Sequence, residues 1–412
     1  MLLLASVALG SFYLHPHDRV CFYGDSITEQ RLYTLFVEDF VRTRYPKLDV
    51  SFINRGWGGD TVFGGGGGNA EERMTKDVAP LKATVVTLML GMNDGHYYPV
   101  QEESHKAFSD GYTKLVDLLK KAAPGARLTF IRTSPWDDVA HDFPAFDAKN
   151  WHPWHGYNDV LINYGNVPID LAKANNALYV DFNQPLLDAL GKARERDANA
   201  ARQIIPDAIH PGPAGHLLMA AELLKGWDAD PVVSNVTIDA AATKVTSAEK
   251  AHVTNLTKAG AGLTWTEHEE DLPFAYDPDN NLVKLALASS DFTTSLNREM
   301  LMVSGLAEGA YALSIDNAKV GTFSASQLAV GVNLALLPTP MQKQSLKVFD
   351  LCRRRSDTEF GAWRAVERPN GELKSMPGAA RAVRSMAEEI DRAAREAAMI
   401  TPHEFKLEPV SK

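Results

Sequence analysis

Residues 19–28 read RVCFYGDSIT, and the change of pattern within them decides the fold. Residues 19–24 form a short apolar run without alternation, as expected for a strand covered on both faces of a parallel sheet. Gly24-Asp25 ends the run, and from Thr28 an amphipathic pattern predicts a helix over 28–45. The same change recurs downstream. Strands are predicted at 48–54, 83–91, 127–133 and 177–182, with helices at 104–123 and 156–175. This alternation predicts a doubly wound α/β layer fold. Right-handed crossovers then bring the C-terminal ends of the strands to one rim, where sites form in such sheets.

A chain of 412 residues exceeds one ordinary core, so more than one domain is expected. The α/β pattern occupies 18–231 and stops at Asp228-Ala229-Asp230-Pro231. Residues 232–336 are rich in Thr, Val, Ser and Asn, with turn signals at 277–281 and 306–309 and alternation at 310–315. They predict a small β-rich module. Leu337-Pro338-Thr339-Pro340 opens a C-terminal helical region, 337–412. In it Val383, Met386, Ala387, Ile390, Ala394 and Ala397 make an apolar stripe at helical spacing, a packing face. The tail after Pro402 is expected to be loosely ordered. Residues 1–17 are a leader whose first ten residues, MLLLASVALG, are too short to span a bilayer. They resemble the second half of a secretory signal peptide, from which export to the periplasm or the exterior is expected.

The formal net charge of −10 argues against nucleic acid or an anionic membrane as the main partner, and no integral membrane segment is evident. The two cysteines supply no disulfide framework, and Cys21, within the apolar run, reads as a buried inert thiol. Five glycines at 64–68 are not followed by Gly-Lys-Ser/Thr, so they are not a Walker loop and read as a mobile loop near the rim.

Four segments at predicted strand ends or helix starts carry chemistry. In Gly24-Asp25-Ser26-Ile27-Thr28 a serine stands at a strand-to-helix turn, where its hydroxyl reaches the rim and its amide lies near unpaired helix N–H groups. A capping role for Ser26 or Thr28 is the competing reading. Asn54-Arg55-Gly56-Trp57-Gly58-Gly59-Asp60-Thr61 offers glycines whose amides can approach an oxyanion. Gly91-Met92-Asn93-Asp94 places a side-chain amide at the end of the third strand, unless Asn93 only makes a turn. In Asp207-Ala208-Ile209-His210-Pro211 a histidine can take the serine proton. An aspartate three residues before it can hold the other ring nitrogen.

Together and in this order, these segments resemble the SGNH, or GDSL, hydrolase family over about residues 18–227. The resemblance implies a three-layer α/β/α sandwich on a parallel sheet of about five strands. It also implies a serine esterase that forms an acyl-serine intermediate and needs no cofactor or metal. By it Ser26 is the nucleophile, Asp207 the acid and His210 the base. The oxyanion hole is Ser26, Gly59 and Asn93, although Trp57-Gly58-Gly59 offers two glycines. The substrate is then a small-molecule or glycan ester, with a carbohydrate O-acetyl group as the leading expectation. A lipase, phospholipase or thioesterase with the same triad is an alternative, as is a catalytically silent carbohydrate-binding protein.

Aromatic residues near the rim are expected to line the substrate: Trp57, Tyr97, Trp136, Trp151 and Trp154. His152 and His155 lie in the same loop and read as lining or packing rather than as metal ligands. His216, on the helix after His210, reads as structural.

Overall fold

The computed structural model describes residues 12–141, 153–368 and 376–410. Residues 1–11 of the leader expected at 1–17, together with Trp151 and His152, lie outside the described residues. Five parallel strands form the first sheet: β1 (Arg19–Gly24), β2 (Ser51–Gly56), β3 (Val85–Leu90), β4 (Arg127–Arg132) and β5 (Leu178–Asp181). Their order is β2-β1-β3-β4-β5. All six residues of β3 are buried, which accounts for its apolar sequence, broken only by the buried Thr87. The strand order reverses between β1 and β3, and that is where a crevice opens at the C-terminal edge of such a sheet.

Two groups of helices flank the sheet. In one, α2 (Leu32–Arg44) packs on α7 (Pro213–Gly226). In the other, α3 (Glu102–Ala122) packs on α4 (Tyr157–Tyr164) and α5 (Asn166–Ala174). A further helix, α6 (Asn183–Arg196), follows β5. Two helices expected to be continuous are broken. The pattern predicted at 28–45 divides into α1 (Ser26–Glu29) and α2 because Arg31 takes a left-handed φ of 65°. The Tyr33 amide there donates to His216 Nδ1 (3.2 Å), a side-chain acceptor from α7. The helix predicted at 156–175 divides at Gly165. Pro168 has no N–H to bond back to the preceding turn, and a Cβ on Gly165 would lie 2.2 Å from Arg132 Nε.

Beyond the boundary at 228–231, nine strands make two further sheets. One is antiparallel, in the order β8-β9-β14-β11-β12, from β8 (Ala251–Ala259), β9 (Gly262–Glu269), β11 (Ala310–Ile315), β12 (Ala318–Ser324) and β14 (His403–Pro409). The other runs β13-β10-β6-β7, from β6 (Val232–Asp239), β7 (Lys244–Glu249), β10 (Arg298–Ser304) and β13 (Val332–Asn333). Its β6 and β10 are parallel. Val236, Ile238, Trp265, Leu301, Leu313, Phe405 and Leu407 belong to one buried cluster of this module.

The tail expected to be loose after Pro402 is therefore an interior strand. Leu263 and Leu313 both pair with Leu407, on opposite edges of β14. His403, Phe405 and Leu407 point inward while Glu404, Lys406 and Glu408 point outward, a period of two confined to a few residues.

Helices interrupt the module, among them α8 (Asn281–Ala288), capped by Asn280, and α9 (Phe292–Leu296). Phe274, Val283, Phe292 and Leu296 join the buried cluster of the first sheet rather than that of the module. The C-terminal helices α10 (Pro340–Gly361) and α11 (Pro377–Ala397) pack on each other, and α10 packs on α2. The expected stripe of α11 is narrower than its apolar residues suggest. Ala380, Ala387 and Ala394 are buried, while Met386 is 61% exposed. Small residues at this spacing let α10 approach closely. The five-glycine run is likewise not a free loop: Gly64–Gly65 pairs with Gly68–Asn69 as a hairpin. That hairpin lies against Trp57, and its Gly67 carbonyl accepts from Arg368.

Candidate active site

Asp25, not Ser26 or Thr28, caps the helix that follows β1: its Oδ1 accepts from the Ile27 amide at 3.0 Å. Thr28 is turned inward and shares a hydrogen bond with the Tyr33 hydroxyl (3.1 Å). Gly24 permits this tight turn, since a Cβ there would lie 2.2 Å from Thr28 Oγ1. Ser26 is thereby left half-buried with its hydroxyl facing His210.

His210 Nε2 is 2.8 Å from Ser26 Oγ, and His210 Nδ1 is 2.7 Å from Asp207 Oδ2. A carboxylate only accepts, so Nδ1 carries the proton and Nε2 is left to accept from the serine hydroxyl. Asp207 Oδ1 also accepts from the amides of Ile209 (3.0 Å) and His210 (2.6 Å), which fixes the loop. Ala208 has a left-handed φ of 66° within it, and its carbonyl accepts from the Asp137 amide (3.0 Å). Burial acts to raise the Asp207 carboxyl, but the hydrogen bonds and charge of His210 hold it below its ordinary value. Burial acts to lower the His210 imidazole, but the Asp207 hydrogen bond and charge, with Asp25 behind them, raise it above its ordinary value.

The oxyanion candidates are a glycine of the loop after β2 and Asn93, at the end of β3. The Gly58 amide is engaged by Glu29 Oε2 at 2.8 Å, whereas the Gly59 amide has no partner among the described residues. Gly59 is exposed, has a φ of 76°, and would meet nothing within 4 Å with a Cβ. Of the two glycines, only Gly59 keeps its N–H free. Asn93 Nδ2 spends one proton on the Asp60 carbonyl (3.0 Å), and its Oδ1 accepts from the Tyr97 hydroxyl (2.9 Å). The remaining Nδ2 proton is the one available to a ligand. Beneath this rim lie three buried aspartates. Burial pushes Asp25 and Asp94 up to about 7 and Asp60 up to about 6. Asp94 accepts from the Val62 amide (2.9 Å) and Asp60 from Arg73 Nε (2.9 Å), so both hold the loop that carries Gly59.

The structure thus brings Ser26, Asp207 and His210 into one hydrogen-bonded relay, with Gly59 and Asn93 beside the same loop. Two of the aromatic residues, Trp57 and Trp136, are placed otherwise than expected. Trp57 is buried and stacked edge-on to Trp363 from the C-terminal region. Trp136 is also buried, and its indole donates to Asp138 Oδ1 (2.8 Å). Its ring packs on Tyr97 and Tyr157, so it supports the tyrosine that orients Asn93. Trp154, half-buried, donates its amide to the Tyr97 carbonyl (2.8 Å). His155 is exposed, 4.0 Å from Asp138. His216 is fully buried, accepts from the Tyr33 amide through Nδ1 and bonds Gln30 through Nε2 (2.6 Å). Burial pushes it down to about 3, so it stays neutral and ties α7 to the start of α2.

The roles of Glu29, Tyr97 and Asp137 were not legible in the sequence. Glu29 and Asp137 act through contacts with segments distant in the chain, whereas Tyr97 acts on Asn93 nearby. Tyr97 alone left a signal, an aromatic residue four positions beyond Asn93. A cavity of about 1410 Å³ lies between β2 and the helices α10 and α11 and is lined by Arg55, Glu359 and Arg384 rather than by the relay. No described helix is long and apolar enough to cross a membrane.

Residues 22–218 match the model of the GDSL-like lipase/acylhydrolase family. The chain is 24% identical over 230 residues to an acetylxylan esterase of Geobacillus stearothermophilus, covering 50% of this chain and 93% of that protein. Among solved structures, a gut microbial diltiazem-metabolizing enzyme is similar over 97% of this chain and 100% of its own, with 23% identity and a TM-score of 0.79. That similarity extends the shared fold through the β-rich module and the C-terminal helices. A catalytic mutant of the Geobacillus acetylxylan esterase is similar over 53% of this chain and 97% of its own, with 21% identity and a TM-score of 0.41.

Proposed function

We propose that this chain, whose residues 22–218 match the GDSL-like lipase/acylhydrolase family and which acts as a carboxylic ester hydrolase, removes small acyl groups, foremost acetyl from carbohydrate, through an acyl-Ser26 intermediate. One observation carries the mechanism: the continuous relay from Asp207 through His210 to Ser26 Oγ, at 2.7 and 2.8 Å. Ser26 Oγ attacks the ester carbonyl as its proton passes to His210 Nε2. The resulting oxyanion takes hydrogen bonds from the amides of Ser26 and Gly59 and the side chain of Asn93. The intermediate collapses, and His210 gives its proton to the departing alcohol. Water, deprotonated by the same nitrogen, then attacks the acyl carbonyl and frees Ser26. The charge on Asp207 stabilises the imidazolium in both halves.

The acetylxylan esterase among its relatives supports acetyl as the acyl group and a sugar hydroxyl as the alcohol. The leader supports a site of action outside the cytoplasm. Initial rates on p-nitrophenyl acetate test the mechanism. Ser26→Ala is expected to lose on the order of 10⁶-fold in kcat, and equal rates in the two proteins would sink the assignment. Deacetylation of acetylated xylo-oligosaccharides, compared with long-chain acyl esters, tests the substrate. Faster turnover of the long chains would favour a lipase.

A further inference from the structure

The loop that offers Gly59 is held from a part of the chain that the family match, ending at residue 218, does not reach. The Gly58 amide donates to Glu29 Oε2 (2.8 Å), and the other carboxylate oxygen of Glu29 is 3.1 Å from Arg364. Arg364 follows α10, and its guanidinium also lies flat over the Trp57 ring, 3.5 Å from the centroid. Both flanks of Gly58, its N–H and the side chain before it, thus rest on Arg364. A second tie runs from the neighbouring Trp363, whose indole donates to Asp77 (2.9 Å). Asp77 pairs with Arg73, and Arg73 holds Asp60, the residue after Gly59. Packing does not hold Gly59 itself, since nothing lies within 4 Å of where its Cβ would be.

We propose that Arg364 is a positioning residue for ester hydrolysis, acting through Glu29 to set the Gly58-Gly59 peptide and so aim the Gly59 amide at the oxyanion. This rests on the reading of Gly59 as an oxyanion donor. Two physical effects combine. Arg364 pins Glu29 where it receives the Gly58 N–H. It also neutralises a carboxylate one turn after Ser26, whose charge would otherwise oppose the negative charge developing on the substrate. The Glu29 and Arg364 side chains are 25% and 19% exposed, so water screens this pair only partly.

Steady-state kinetics on p-nitrophenyl acetate, with the acylation burst measured in the full chain, test the proposal. Arg364→Ala is expected to lower kcat about tenfold with KM within about twofold, less than the roughly 10²–10³ lost when an oxyanion donor is removed outright. Glu29→Gln keeps an acceptor for Gly58 but carries no charge, so adding it to Arg364→Ala should recover about threefold of the lost kcat. A merely structural Arg364 would give no such recovery. Glu29→Ala, which removes the acceptor, should fall below Glu29→Gln, and this contrast decides the matter even if Arg364→Ala does not fold. A kcat for Arg364→Ala within twofold of wild type, or Glu29→Ala matching Glu29→Gln, would overturn the proposal. If Ser26→Ala turns the ester over at the wild-type rate, the nucleophile assignment itself fails. If the burst is present and unchanged in Arg364→Ala, only the positioning role fails.

Discussion

At the scale of single residues the site depends on hydrogen bonds that leave one proton or one lone pair free. Asn93 shows this best, because Tyr97 and the Asp60 carbonyl use up its other capacity. Tyr97→Phe is therefore expected to lower kcat roughly five- to tenfold, the value of about one neutral hydrogen bond, with KM and the unfolding midpoint little changed. Steady-state rates and a thermal melt check it. The histidine sets the pH dependence. Catalysis needs His210 neutral at Nε2, and Asp207 raises its pKa above the ordinary 6.5. Protonation on lowering the pH thus removes the base earlier than for a free imidazole, and the acid limb of kcat/KM should have its midpoint above 6.5. Asp207→Asn should move that limb to lower pH while costing on the order of 10⁴ in kcat. A wild-type midpoint at or below 6.5 would contradict the coupling.

At the scale of elements, the runs of β1 to β5 were legible because apolar residues crowd together in each strand and polar ones among them, such as Thr87 and Thr129, are themselves buried. Ser26, Gly59, Asn93, Asp207 and His210 were legible because each stands beside such a run or at a helix start. The breaks at Arg31 and Gly165 were not, since His216 and Arg132 impose them from elsewhere in the chain. β14 was not legible either, because alternation over so few residues competes with the look of a polar tail. A test at this scale concerns β9 and β10, which bring Glu267, Glu269 and Glu299 together in the buried module. Burial pushes Glu267 up to about 7 and Glu269 up to about 8, and burial with the charges of both raises Glu299 well above its ordinary value near 4.5. The folded state thus holds protons that the unfolded chain releases near pH 4.5, so stability falls as the pH rises from there towards 8. Glu299→Gln mimics the protonated form. It should raise the unfolding midpoint at pH 8 by roughly 2–4 °C for each kcal/mol recovered and leave it nearly unchanged at pH 5. Melts at the two pH values check both halves of this expectation.

At the scale of the whole molecule, buried ion pairs fasten the C-terminal helices to the first sheet. Arg55 holds Glu359 in a two-bond fork (2.9 and 3.2 Å), and Arg355 holds Glu38 in another (2.8 and 2.6 Å). Arg44, buried, donates to the carbonyls of Asp230, Val232 and Leu296, at the seam with the module. Phe274 and Phe292 complete the apolar cluster beside Phe36 and Phe40. A fragment ending at residue 231 would expose that apolar face, take Glu359 away from Arg55 and Arg355 away from Glu38, and leave Glu38 only Arg42, a loss of several kcal/mol per broken pair. Such a fragment is expected in the insoluble fraction, and a soluble, active one would contradict the account. The interior place of β14 has a further consequence, in time rather than in space. Its partners β9 and β11 leave the ribosome well before it does and must wait with facing edges unpaired. The first sheet closes from neighbours in the chain, whereas the module closes only when its last strand is threaded between two older ones, a non-local step that is intrinsically slow. Refolding should therefore show an early phase in which the nucleophile loop forms, and a late phase in which β14 docks and the module reaches its final form.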